Sequence, residues 1–174
     1  MYLLIILYIG IKMKKLLLLL LLTLSSLQAT QLSSYINDRF GFSAKYPSNL
    51  FSDKWYATNG DGLTLSNKSK GLEVRLYGAL AVSNNTIRGE YRSHIGYMLD
   101  DENIEITYKI AKRNWFVLSG YDYSKRVIFY QKTYLVDSSE GDSIFITYRI
   151  EYPIKDKKRY NYLVKLINKH FRAF

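Results

Sequence analysis

Asn114-Trp115-Phe116-Val117-Leu118-Ser119-Gly120-Tyr121-Asp122-Tyr123-Ser124-Lys125-Arg126-Val127-Ile128-Phe129-Tyr130-Gln131-Lys132-Thr133-Tyr134-Leu135-Val136 is the densest apolar and aromatic stretch beyond the N-terminal leucine run. β-Branched and aromatic residues favour a pleated surface. The polar cluster in the middle is a turn signal. The stretch therefore predicts two strands, Trp115–Tyr121 and Lys125–Val136, folded back on each other. It is expected to form the middle of one antiparallel sheet, with the rest of the chain laid against it.

The flanking segments carry the same signal. Four residues alternate on one face in each of three stretches: Phe40, Phe42, Ala44 and Tyr46; Leu72, Val74, Leu76 and Gly78; and Ile104, Ile106, Tyr108 and Ile110. Ile144, Ile146, Tyr148, Ile150 and Tyr152 form a fourth such face before Pro153. A period of two is the mark of a half-buried strand. Leu63–Ser66 reads as a further short strand. Residues 30–38 read as a frayed lead-in. Residues 48–58 read as a loop whose Leu50, Phe51, Trp55 and Tyr56 pack back on the domain.

Two segments carry helical spacing instead. Ser83-Asn84-Asn85-Thr86 supplies N-cap residues, and Ile87, Tyr91, Ile95 and Met98 then recur on one face over 86–99. Gly89 and Gly96 weaken that helix by about 1 kcal/mol each relative to Ala. Tyr160, Leu163, Val164, Ile167 and Phe171 form the stripe of a closing helix over about 155–171. Hairpin-ordered strands with two helices predict an α+β domain, a single antiparallel sheet of about six or seven strands with two main helices packed on it. One apolar face per strand predicts helices on that face, with loops partly covering the other.

Lys14 and Lys15 precede Leu16–Leu22 and a run of small and polar residues ending at Ala29. That is the layout of a secretory signal peptide over 1–29, with cleavage after Ala29 and a domain over 30–174. Met13 onward is a complete leader by itself, so Met13 is a candidate start. The leucine run falls short of the ~20 residues of a membrane span, so no span is expected once the leader is removed. Removal takes away Lys12, Lys14 and Lys15 and no acid, so the formal charge falls from +10 to +7. Such a charge favours anionic surfaces. Export disfavours nucleic acid as a partner.

The chain has no cysteine, which excludes disulfides, thiolate metal sites and thiol nucleophiles. Its two histidines, His94 and His170, sit beside a helix stripe and at a helix end. Neither is expected to be catalytic. No nucleophile-elbow, zincin or phosphate-loop pattern occurs, so no catalytic, metal or cofactor residue is assigned. The acidic clusters Asp100-Asp101-Glu102 and Asp137, Glu140, Asp142 read as solvated turns. Asn67-Lys68-Ser69 and Asn84-Asn85-Thr86 match a glycosylation sequon, which only a eukaryotic secretory route uses.

Two stretches are candidate binding features. Asn59, Gly60, Asp61 and Gly62 form the strongest turn signal, and loops carry binding sites. The competing reading, a tight turn that needs glycine, is the simpler one. Lys155, Lys157, Lys158 and Arg159 crowd the start of the closing helix, where the helix dipole prefers acids. This points to a bound anion, with a solvated lysine face as the competing reading.

Several of these segments resemble a known family. Phe40-Gly41-Phe42-Ser43 to Tyr46-Pro47, Asn59-Gly60-Asp61-Gly62, Trp115 to Gly120, Ile128 to Lys132, Tyr148 to Pro153 and Tyr160 to Arg172 are similar to small exported bacterial proteins related to the PsbP-like, Mog-type α/β/α sandwich. The resemblance spans residues 30–174. It implies a central antiparallel sheet with helices packed on it and an accessory binding role, and it transfers no site residue. The expected function is a non-catalytic accessory protein of the cell envelope, periplasmic or secreted, with a protein partner. The alternative is a binder of a small ligand or an anionic polymer or lipid surface through tyrosines and the basic closing helix.

Overall fold

Alternating strands of the predicted kind build the main layer in the computed structural model, which describes residues 31–82, 86–137 and 141–174. The segment 1–29 expected to be a leader, Ser83–Asn85 and Glu140 lie outside the described residues. In chain order the elements are β1 (Leu32–Asn37), β2 (Phe42–Pro47), β3 (Asp53–Tyr56), β4 (Gly62–Asn67), β5 (Leu72–Leu80) and α1 (Ile87–Leu99). There follow β6 (Ile104–Ala111), β7 (Trp115–Asp122), β8 (Val127–Asp137), β9 (Ser143–Pro153), α2 (Lys157–His170) and β10 (Arg172–Ala173).

Seven strands form one antiparallel sheet in the order β3-β4-β5-β9-β8-β7-β6, and β1-β2-β10 form a second, smaller sheet. The Asn114–Val136 hairpin is present as β7 and β8, but the middle strand is β9. β9 is buried on both faces. Ile144, Ile146, Tyr148, Ile150 and Tyr152 face one way, while Phe145, Thr147 and Glu151 face the other. A strand with no exposed face belongs at the centre of a layered fold. The hairpin lies to one side of it, toward the β6 edge.

The helices take opposite faces. Tyr160, Leu163 and Ile167 of α2, with Phe171 after it, pack with Phe42, Tyr148 and Tyr152 in the larger core. Ile87 and Met98 of α1 pack with Phe116, Leu118, Phe129 and Phe145 in the other. Strand alternation had put both helices on one face; they lie on opposite faces instead, as the layers of an α/β/α sandwich. Thr86 caps α1, its Oγ1 accepting from the Gly89 N–H at 3.1 Å.

Three local expectations change. Residues 32–37 form a paired strand, β1, which zips onto β2 from Leu32↔Pro47 to Asn37↔Phe42. Leu50 and Phe51 pack inward, but Trp55 and Tyr56 sit exposed on β3, the sheet edge. In β6 a bulge between Ile106 and Tyr108 shifts the register against β7. One extra residue reverses parity. Ile104 and Ile106 therefore face α1, while Tyr108, paired with Ser119, turns to the α2 face. Among the described residues, no helix is long and apolar enough to cross a membrane.

Candidate binding cleft

The α1 helix packs over β6 and β7. The same face of β5, β9 and β8 is left as the floor of a cleft of about 530 Å³, walled by Ser93, Tyr97 and Met98 of α1. Antiparallel register sets that floor in rows. Arg75 is directly across from Arg149, and Arg149 is directly across from Gln131. In the next row Glu73 is across from Glu151. Beyond the arginines, Tyr77 is across from Thr147, which is across from Thr133.

Like charges directly opposite each other are unfavourable. Here each cation holds an anion two residues along its own strand. Arg75 Nε lies 2.6 Å from Glu73 Oε1, and Arg149 Nε lies 2.7 Å from Glu151 Oε1. The Arg149–Glu151 pair is the buried one, with side chains 13% and 8% exposed. Arg149 Nη1 also donates to Gln131 Oε1 at 3.2 Å, and the guanidinium stacks 4.8 Å from the Phe129 ring. Gln131 is only 2% exposed, and its amide nitrogen has no hydrogen-bond partner among the described residues. Leaving such a donor unpaired costs about 1–3 kcal/mol.

At the end of β7, Asp122 is buried. Burial alone would raise its pKa. Ser124 Oγ (2.6 Å), the Lys125 N–H (3.0 Å) and the Lys125 ammonium (3.2 Å) outweigh this and hold it below the usual carboxylate value. Burial pushes the Tyr77 phenol up, with partial relief from Arg149, Thr147 and Arg75. On the wall, His94 Nε2 lies 3.1 Å from Glu90 Oε1, one helical turn away. The cleft thus offers fixed donors and acceptors suited to holding a polar ligand.

The residues singled out from the sequence lie elsewhere. Asn59–Gly62 is a tight turn from β3 to β4, with Gly60 at φ +76°. Its polar groups engage one another and Arg39. The Arg39 guanidinium bonds Asp61 at 2.9 Å and also the Asn59 carbonyl, and Asn59 donates to Asp61. The basic group divides at the start of α2. Lys157 Nζ sits 5.8 Å from the Tyr121 ring centre, and Arg159 lies over Tyr160. Lys155 and Lys158 are exposed. Lys157 thereby joins Tyr108, Tyr121, Tyr130 and Tyr152 around a smaller cleft of about 230 Å³ on the α2 face. Three strands lie between β4 and β7, so the turn and the lysine are not brought together.

Sequence reasoning missed the α1-side cleft. Its signal was the off-parity set of otherwise apolar strands: Arg75, then Gln131 and Thr133, then Thr147, Arg149 and Glu151. It also missed Lys45, Lys169, His170 and Arg172, which line a groove of about 480 Å³ at the far end of α2. Among the described residues, no group of three His, Cys, Asp or Glu side chains is placed to hold a metal ion.

No protein-family model matches the chain, and no curated protein matches it in sequence. Its fold is similar to the solution structure of cyanobacterial PsbP (CyanoP) from Synechocystis sp. PCC 6803. The TM-score is 0.61 at 10% identity, over 86% of this chain and 96% of that one. The Saccharomyces cerevisiae Ran-binding protein Mog1p aligns at a TM-score of 0.47 and 6% identity, over 83% of this chain and 96% of that one. At these identities the likeness is one of fold, and the fold is the PsbP-like α+β sandwich.

Proposed function

We propose that the chain is an exported accessory protein of the cell envelope, without chemistry of its own, whose 30–174 domain engages a protein partner through the α1-side cleft. The observation that carries this reading is the polar floor of Arg75, Arg149 and Gln131, three adjacent side chains in a concave site with the Gln131 amide nitrogen unpartnered among the described residues. The basic n-region, the Leu16–Leu22 run and the small-residue exit at Ala29 support export to the periplasm or beyond. Tyr97, exposed on the α1 wall, is the place to test it. A photo-crosslinking phenylalanine analogue at Tyr97 is expected to yield one discrete protein adduct in the native envelope, lost on Arg75→Glu. An absent adduct, or one indifferent to Arg75→Glu, rejects the reading.

A second reading rests on Lys157 over Tyr121. The tyrosine-lined cleft and the basic start of α2 form a surface for an anionic polymer or lipid headgroup. Salt-sensitive binding to anionic vesicles, abolished by Lys157→Glu with Lys158→Glu, is its expected signature. Vesicle binding that the double variant leaves intact rejects it.

A further inference from the structure

We infer that the floor of the α1-side cleft is a carboxylate-binding site, an inference that rests on the cleft being the binding site proposed above. Arg75, Arg149 and Gln131 occupy consecutive places on one line across β5, β9 and β8. Neighbouring strands are about 4.8 Å apart. The three side chains therefore form a short rail of donors. Guanidinium groups have no acceptor. The single acceptor on the rail, Gln131 Oε1, already accepts from Arg149 Nη1, so what stands unpartnered on Gln131 is its N–H₂ group.

That N–H₂ group is buried and lacks a partner among the described residues, so the rail calls for an acceptor. Arginine pairs with planar oxyanions through two parallel N–H donors. The charges around the floor limit what that acceptor can be, since Glu90, Asp101, Asp122 and Glu151 line the cleft together with Arg75, Arg149 and Lys125. Glu73 and Glu151 neutralise the two guanidiniums along their own strands. Asp122, held ionised by Lys125, lines the same cleft. No positive charge is left over, so a doubly charged phosphate meets more repulsion here than a singly charged carboxylate, whose planar oxygens match paired arginine donors. A carboxylate fits. The remaining volume, beside Tyr97 and Met98, has room for the residue or small acid that carries it.

The carboxylate has two possible sources, a free small acid or the C-terminus of a peptide. Amide-detected NMR titration of the full 30–174 domain with acetate, trialanine, trialanine amide and inorganic phosphate separates them. Trialanine is expected to move the Gln131 side-chain amide signals, and trialanine amide is not. Acetate binding as tightly as trialanine identifies a small acid as the source, and trialanine binding about tenfold tighter identifies a peptide terminus. Arg75→Gln is expected to weaken binding about tenfold, the effect of losing one charge-assisted pair. Because Arg75 is an exposed side chain, this variant keeps the fold, and it backs up Gln131→Leu in the buried position. Equal response to acid and amide, tighter binding of phosphate, or no response to any probe overturns the inference. A Tyr97 adduct that survives a blank titration overturns the ligand class alone. A carboxylate response without any adduct overturns the envelope-partner reading alone.

Discussion

Arg75 stands directly across from Arg149 in the antiparallel register of β5 and β9, and each is neutralised along its own strand rather than across the sheet. The two ion pairs are chemically alike but differ in burial. Glu73 and Arg75 side chains are 31% and 46% exposed, so water and salt screen them. Removing Glu73 as Glu73→Ala is expected to cost less than about 1 kcal/mol. Glu151→Ala leaves the buried Arg149 charge without its carboxylate and is expected to cost about 3 kcal/mol or more. Urea unfolding of the two variants tests the contrast, and equal losses would count against it.

Glycine substitutions should split by location. A Cβ at Gly120 would meet the Glu105 carbonyl oxygen at 1.8 Å, next to the β6 bulge, where backbone cannot yield without breaking the ladder. Gly120→Ala is expected to destabilise the domain by about 2 kcal/mol or more. A Cβ at Gly96 in α1 meets nothing within 4 Å. Gly96→Ala is expected to stabilise by up to about 1 kcal/mol through helix propensity. Thermal melts of the pair decide the point. A gain at Gly120 would mean the bulge is misplaced.

Asp122 gives the domain an acid-labile anchor between β7 and β8. Its folded pKa is depressed, so the unfolded chain takes up the proton first as pH falls. The stabilisation is complete above the ordinary carboxylate value and lost as pH falls through the lower folded one. Asp122→Asn should be less stable than the parent near neutrality, and the gap should close in that acid window. A stability gap independent of pH would reject an ionic role for Asp122.

His170 should titrate low. Desolvation at the end of α2, followed by the charges of Lys169, Lys45 and Arg172, holds its imidazole below the ordinary value. A depressed folded value means that stability drawn from neutral His170 is present above the ordinary histidine range and declines as pH falls through it. The His170 ring-proton shift measured against pH should show this, and Lys169→Glu should move the midpoint upward. An unchanged midpoint in that variant would remove the electrostatic part of the account.

Local chemistry was legible along the chain. The parity of Leu72, Val74, Leu76 and Gly78, the cap at Thr86, the stripe from Tyr160 to Phe171 and the glycine turn at Gly60 all depend on neighbours within a few residues, and all are seen. The PsbP-like sandwich was legible through the resemblance of short segments such as Trp115 to Gly120 and Tyr148 to Pro153, while the alternation of the strands had placed both helices on one face.

Partnership between distant segments was not legible. Nothing near β9 announces that it slots between β5 and β8, since strand pairing is decided by burial of the whole sheet. The extra residue in β6 reverses the facing of Tyr108 without altering local composition. Arg75, Gln131 and Arg149 are scattered through the chain and look like ordinary outward residues on their own strands. By itself the sequence determined the two helices and the strands of strict alternation, with one apolar face of each, but not β1, β3 or the reversal of facing within β6. Only the tertiary structure decided that three polar faces lie side by side in one cleft, because register across a sheet is a property of the assembled layer and not of any strand in it.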